Sequence, residues 1–316
     1  MAFHFNDSSP QLIYFQSQNT SQTYLENCYG KIKDINTKEA AFNNCYRFMY
    51  FLEYGQLYLQ QASLSPLAIK PSLAFYGLTH LLKACLLTVD PAYPSTTNVL
   101  AHGLSARKKK KQNYHFLEDE VKIQRNGLFP YAIDKMFHMK HFEGEKLIMK
   151  DLLLQIPELA DAFNFHYQAN PFVELKADQH EWLLSKKAAI EYQLSDQRFI
   201  ELITYRGKKG LKLEEKDDKF FKVMIPPGRV ELPPFRKHIY KKTLFFSKNK
   251  VEEAYFPELL IHYGLLYNLS MIARYETEWW AELLKTAPTE DYPFIEQFLS
   301  ISIMKIPLLI IDFLTP

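Results

Sequence analysis

Positive charges set among apolar residues carry the most chemical potential in this chain. His80 and Lys83 stand one turn apart in the apolar run from Pro71 to Leu87, where an ammonium group needs either an acid or an incoming anion to face it. His80 then has two readings, a neutral buried histidine donating one hydrogen bond or a general base beside Lys83 as anion anchor. Arg274-Tyr275, with Trp279 a turn further on, repeats the tension. The guanidinium can stack on an aromatic ring as a structural contact, or offer its planar fork to a phosphate or carboxylate while the ring supports a base. Should Lys83 and Arg274 lie on paired helices, they can converge on one anion. Tyr76, His80, His102 and Trp279 are the residues expected to shape the surrounding pocket.

The densest positive charge is the run Arg107-Lys108-Lys109-Lys110-Lys111, followed by His115. Such a run can hold the phosphates of RNA or of a nucleotide. Glu118-Asp119-Glu120 follow closely and could neutralise it as a solvated loop. His138-x-x-His141 with Glu143 and Glu145 has the residue types of a metal site, but Gly144 and the missing His-Glu-x-x-His order favour a surface loop. No metal and no cofactor is expected. Gly207-Lys-Lys-Gly210 lacks the spacing of a phosphate-binding loop, and a Gly-x-Ser-x-Gly elbow does not occur. With no recognisable catalytic motif, enzymatic activity is left open and a binding role is favoured.

These residues must be positioned by a sizeable core. The chain has 316 residues, 47% of them hydrophobic, enough for one large domain or two ordinary ones. A balance of 38 basic against 36 acidic residues gives a net charge of +2, so whole-molecule charge does not argue for a nucleic-acid partner. Cys28, Cys45 and Cys85 are an odd set without a Cys-x-x-Cys pair, which suits reduced thiols. The start, Met1-Ala-Phe-His-Phe-Asn-Asp, lacks the basic end and apolar run of a signal peptide. The apolar stretch Phe298 to Leu314 is interrupted by Lys305, Pro307 and Asp312, which predicts a packed segment rather than a membrane span. A cytoplasmic protein is expected.

Periodicity and punctuation predict the elements. Asn36 followed by Glu39 forms a capping-box-like start for a helix through Ala41, Cys45, Phe48 and Leu52 to about Ala62, where Ser65-Pro66 blocks continuation. A second helix opens near Pro71, is apolar on nearly every face, and stops at Asp90-Pro91. Residues 95–145 read as loops and short elements, and residues 145–163 as a helix that Pro157 breaks or restarts. From His166 to Ala177, Phe220 to Ile225 and Lys242 to Ser247 the pattern predicts strands, with a helix possible over Gln179 to Ile190 and a solvated hairpin between Arg206 and Lys222. Helical periodicity returns from Pro257. There Tyr263-Gly264-Leu265 echoes Tyr76-Gly77-Leu78, which raises the expectation of two helices packed glycine to glycine. The expected organisation is residues 1–165 helical, 166–256 a β-rich insertion, and 257–316 the returning helical part.

Four separated motifs then bear on kinship: Lys70-Pro71 through Tyr76-Gly77, His80 and Lys83-Ala84; Ala101-His102-Gly103-Leu104; Asn126-Gly127-Leu128-Phe129; and Leu269 through Arg274-Tyr275 to Trp279. Together they resemble the YaaC-like proteins of bacilli. That resemblance implies a cytoplasmic bacterial protein, and family members tend to be encoded beside a gene for IMP dehydrogenase, which implies a purine nucleotide or that enzyme as a partner to test. The Tyr76-Gly77-Leu-x-x-Leu-x-Lys83-Ala84 helix is also similar to HEPN-type helical domains. With the strands that the pattern predicts after His166, the expected fold is predominantly helical α+β, a HEPN-like helical bundle with an inserted antiparallel β-sheet region. The HEPN similarity also implies a metal-independent ribonuclease as one alternative, with Arg107, His102 and His115 in catalytic roles. HEPN ribonucleases carry a shorter spacing than the seven residues between Arg107 and His115.

The reading that results is a regulatory protein that binds a purine nucleotide, an RNA phosphate or a protein partner, and forms a possible homodimer away from membranes. The ligand-binding candidates are Tyr76, His80, Lys83, His102, Arg107, Lys108, Lys109, Arg274, Tyr275 and Trp279. A structural adaptor is the remaining alternative.

Overall fold

The structure is a computed structural model that describes residues 10–106, 114–140, 142–178, 181–207, 210–225, 233–248 and 256–315. It is a predominantly helical α+β protein in two compact units, Met1–Leu152 with Leu259–Leu314, and Leu153–Glu258.

The first unit begins with α1 (Gln18–Tyr29), α2 (Thr37–Leu64) and α3 (Lys70–Val89). The capping box at α2 forms as expected: the Glu39 N–H donates to the Asn36 side chain at 3.4 Å, and the Asn36 amide donates back to the Glu39 carboxylate at 3.1 Å. Ser65, held extended before Pro66, ends the helix. α3 has its proline in the first turn and packs against α1, α2, α4 (Leu128–Phe137) and the late helix α11 (Asp291–Leu314). This central place explains its apolar faces, with Phe75, Leu78, Leu81, Leu82 and Cys85 fully buried. Each such side chain contributes about 1.5–3 kcal/mol relative to exposure.

The expected glycine pairing is corrected by the packing. A Cβ on Gly77 would lie 2.8 Å from Leu59 Cγ and 3.2 Å from the Gly55 carbonyl oxygen, so the partner of Gly77 is Gly55 on α2. Gly264, on α9 (Glu258–Tyr275), instead faces Leu152. The Tyr-Gly-Leu echo therefore marks two separate close approaches, because the helix beside each glycine is set by which apolar faces meet and not by the local motif.

Within residues 95–145 the chain forms β1 (Leu104–Ala106) and β2 (Glu120–Ile123), which join β3 (Lys146–Ile148) in a small antiparallel sheet with Leu104 opposite Ile123 and Val121 opposite Leu147. The helix expected over 145–163 is thus replaced at its start by β3. Only α5 (Met149–Leu153) and, beyond the Pro157 break, α6 (Ala160–Tyr167) are helical. α10 (Thr277–Thr286) and α11 close the first unit. α3 and α11 are long and apolar enough to cross a membrane by composition, and 67% and 72% of their most apolar stretches are buried inside the fold.

The second unit carries two antiparallel sheets. β4 (Phe172–Glu174), β9 (Phe235–His238) and β10 (Thr243–Ser247) form the order β4-β10-β9. β5 (Lys176–Asp178), β6 (Glu181–Ser185), β7 (Lys212–Glu215) and β8 (Phe220–Met224) form β5-β6-β8-β7. With α7 (Lys187–Tyr192) and α8 (Asp196–Gly207) they bury a core of Leu184, Phe199, Ile203, Phe221, Phe235 and Phe246. Two expectations shift here. His166 and Tyr167 end α6 instead of starting a strand, and Glu181–Ser185 is a strand with a helix only from Lys187, because Leu183 and Leu184 pair with Lys222 and Phe221 of β8. A short apolar run does not by itself distinguish the two. The predicted hairpin is present as β7–β8, its turn held by the Lys219 and Phe220 N–H groups donating to Asp217 at 2.7 and 2.9 Å.

Candidate anion site

In the first unit, three helices and one loop bring the sequence-selected cations together. α2 presents Phe51, Tyr54 and Tyr58 at spacings of three and four, one helical face. α3 runs beside it at the distance set by Gly55 and Gly77, and turns Tyr76, His80 and Lys83 toward those rings. His80 stacks on Tyr58 with centroids 5.6 Å apart and lies 6.0 Å from Phe51 and 5.9 Å from Tyr54. The Lys83 Nζ sits 5.8 Å from the Phe51 ring centroid. Tyr76 continues the ring series at 5.9 Å from Tyr58.

Arg274, in the last turn of α9, reaches the same cluster. Its Nη1 donates to the Tyr76 hydroxyl at 3.4 Å, while Nε and Nη2 donate to the Ser270 carbonyl and hydroxyl at 3.0 and 3.1 Å. The guanidinium is therefore anchored by its own helix. Among the described residues neither Arg274 nor Lys83 forms an ion pair with a carboxylate, and both are only partly exposed.

His102 is placed by a backbone clasp. The Leu128 and Phe129 N–H groups, at the start of α4, donate to the Ala101 and His102 carbonyls at 2.7 and 3.1 Å, and Gln124 N–H donates to Gly103 at 3.0 Å. Gly103 and Gly127 both have positive φ, and a Cβ on Gly127 would lie 2.3 Å from the Gly103 Cα, so no other residue fits at this crossing. Two α9 tyrosines finish the clasp, with the Tyr263 and Tyr267 hydroxyls donating to the His102 and Leu104 carbonyls at 3.0 and 2.9 Å. The His102 ring rests 5.0 Å from Phe75 and 5.8 Å from Tyr267. Two of the sequence motifs, Ala101-His102-Gly103 and Asn126-Gly127-Leu128, are thus one structural device.

The charges act on one another. Burial holds the His102 ring below the ordinary imidazole range, and both Arg274 and Lys83 push it further down. His80 is lowered by burial and by Lys83, and its buried Nδ1 has no hydrogen-bond partner among the described residues. Burial also lowers Lys83. Two cations and two neutral imidazoles amid aromatic rings can accept an anion, and the rings offer faces to a planar group.

The other selected residues lie differently. The ring under the Arg274 guanidinium is that of the exposed Tyr275, 5.3 Å from the centroid, while Trp279 packs edge-on against Tyr114 at 4.7 Å. His115 Nδ1 lies 3.6 Å from the buried Asp291, which also accepts the Phe116 and Leu117 N–H groups at 3.0 and 3.1 Å. Arg107, Lys108 and Lys109, like His141, lie outside the described residues. His138 caps the end of α4 in the left-handed region, so it does not present a helical His-x-x-His pair, and no cluster of metal-ligating side chains occurs among the described residues. Sequence reasoning passed over Phe51, Tyr54, Tyr58, Phe75, Tyr267 and Ser270. The spacing of the first three along an otherwise recognised helix was the available signal.

A family model described as YaaC-like Protein matches residues 13–314, nearly the whole chain. Neither the curated proteins nor the solved structures gave a match, and the similarity to HEPN domains has no counterpart in these comparisons.

Proposed function

We propose that this chain, which belongs to the YaaC-like protein family, binds a phosphate-bearing small molecule, a nucleotide above all, at the cluster of Tyr58, Tyr76, His80, Lys83, His102 and Arg274. The observation that carries this reading is the pair of half-buried cations, Lys83 and Arg274, that form no ion pair with a carboxylate among the described residues and both bear on His102. Leaving an ammonium partly desolvated costs free energy that a bound anion would return. A nucleotide suits the site better than inorganic phosphate because Tyr58 and His80 offer stacked ring faces beside the charges. A regulatory role in purine nucleotide metabolism, with IMP dehydrogenase as partner, is the biological setting in which we place it.

The test is a thermal-shift and calorimetric panel of purine mononucleotides, with inorganic phosphate for comparison. A ligand at 100 times its Kd raises stability by about 2.7 kcal/mol, an easily read increase in midpoint. The shift is expected with at least one purine nucleotide, and to be lost in Lys83→Met and Arg274→Met. A panel in which no member stabilises the protein overturns the proposal.

One observation favours a second reading. A half-exposed His115 beside the buried Asp291 carboxylate is the arrangement of a general base, which fits the ribonuclease alternative. Incubation with bulk RNA decides it: cleavage that disappears in His115→Ala supports an enzyme, and intact RNA dismisses it.

A further inference from the structure

The outward face of α2 carries a stripe for which the first unit has no use. Phe42, Tyr46, Tyr50, Tyr54, Leu57 and Leu64 are each 46–71% exposed. At about 100° per residue, the last five fall within an arc of roughly 80°, with Phe42 at its edge, and the stripe runs for about 33 Å. Four half-exposed aromatic rings present roughly 400 Å² of surface. A single apolar patch of that size, on one straight element, is of the scale of the largest patch on a monomer, which often marks an interaction surface.

We propose that this face pairs antiparallel with the same face of a second copy of the chain. The exposed positions Asn43, Tyr46, Tyr50, Glu53, Leu57, Gln60 and Leu64 are spaced alternately by three and four, the seam that two helices use to pack along their length. The only charges on the seam's central line are carboxylates, Glu39 and Glu53, so a nucleic acid is repelled, while a second copy brings an aromatic face whose own two carboxylates can be kept apart by the choice of orientation. Charge also selects the orientation. Parallel pairing would set Glu53 level with Glu53 and Glu39 level with Glu39 of the other copy. Antiparallel pairing about a two-fold axis near residue 51 sends the two Glu39 carboxylates to opposite ends, offsets the two Glu53 by about 4.5 Å along the axis, sets Glu53 opposite Tyr50 of the other copy, whose phenol can donate to it, and sets Tyr46 opposite Leu57. Every such layer occurs twice, which is the economy of an isologous dimer. With Asn43, Gln60 and Gln61 at the rim, the contact approaches the roughly 800 Å² per partner of a stable interface. The inference does not rest on the anion site, which occupies the neighbouring flank of α2; Tyr54 borders both, at the edge of the stripe and 5.9 Å from His80.

The experiment measures the mass of the full chain by light scattering after size exclusion, at concentrations from 1 to 100 µM, for the wild type and for Tyr46→Glu/Tyr50→Glu. The wild type is expected at twice the 37.2 kDa chain mass. The double variant is expected to be a monomer with an unchanged far-ultraviolet spectrum, since both positions are half exposed. In a Cys28→Ser background, which removes the one partly exposed thiol and leaves Cys45 and Cys85 buried, a short thiol cross-linker should join copies that carry Tyr50→Cys and not copies that lack it. A wild type that stays monomeric throughout overturns the proposal. So does a dimer that survives the double substitution, or a Tyr50→Cys chain that fails to cross-link.

Discussion

Replacing Gly55 by alanine puts opposed effects of known size at one position. In an ordinary helix interior the change stabilises by up to about 1 kcal/mol, because alanine loses less backbone freedom on folding. Here the new Cβ would lie 2.5 Å from Leu81 Cγ, 2.6 Å from its Cδ2 and 3.1 Å from the Gly77 carbonyl oxygen. Carbon atoms in good contact sit about 3.5–4.0 Å apart, so Leu81 must withdraw by about 1 Å or α2 must move off α3. Leu81 is fully buried, in an interior that packs to crystal-like density. Overpacking of this kind costs about 1–3 kcal/mol and outweighs the backbone gain. The net expectation is a loss of roughly 1–2 kcal/mol, a fall in midpoint of a few degrees for a chain of this size. Urea titration of Gly55→Ala, Leu81→Ala and the double variant measures it. Once Leu81 is truncated the two closest clashes are gone and the 3.1 Å approach to the Gly77 carbonyl oxygen alone opposes the helix preference, so Gly55→Ala should cost markedly less in that background. If it stabilises the wild type, or if its cost is the same in both backgrounds, the reasoning about how α2 and α3 approach each other is wrong.

Three further outcomes follow from the site and its surroundings. Lys83→Met keeps the apolar stem and removes an unpaired cation, so it should leave the free protein as stable or up to about 1 kcal/mol more stable by urea titration. In the same variant nucleotide affinity should drop about tenfold to a hundredfold by calorimetry, the worth of one hydrogen bond to a charged group. Asp291→Ala strips the acceptor from the buried Phe116 and Leu117 amides and should cost about 2–5 kcal/mol, with Asp291→Asn costing less because one acceptor remains. Both His80 and His102 have folded pKa values below the unfolded range, so as pH falls through about 6.5 the unfolded chain takes up protons first. Stability is therefore expected to decline from pH 7 to pH 5, and to decline less in Lys83→Met, where both rings lose a charge that depresses them. A thermal melt series across that range reads the difference.

Much of the framework was legible along the chain because its causes are local. The Asn36 capping box, the stop at Ser65-Pro66, the proline entry of α3 and the break at Asp90-Pro91 act over a few residues, so composition and spacing were enough to place α2, α3 and the return of helix after Pro257, though not its division into α9 and α10. Lys83 stood out for the same reason, as a cation amid leucines. What the linear order could not decide was the company each residue keeps. Gly77 meets Gly55 and not its look-alike Gly264, Glu181–Ser185 joins a strand 35 residues away in place of a helix, and Tyr58 becomes the ring beneath His80, because each outcome depends on apolar faces that match only after the chain has collapsed. The sequence by itself determined that positive charge would lie within oily helices. Only the tertiary structure decided that Lys83 and Arg274, nearly two hundred positions apart, would act on one imidazole, since electrostatic forces depend on distance in space and the backbone clasp at Gly103 and Gly127 sets that distance for His102.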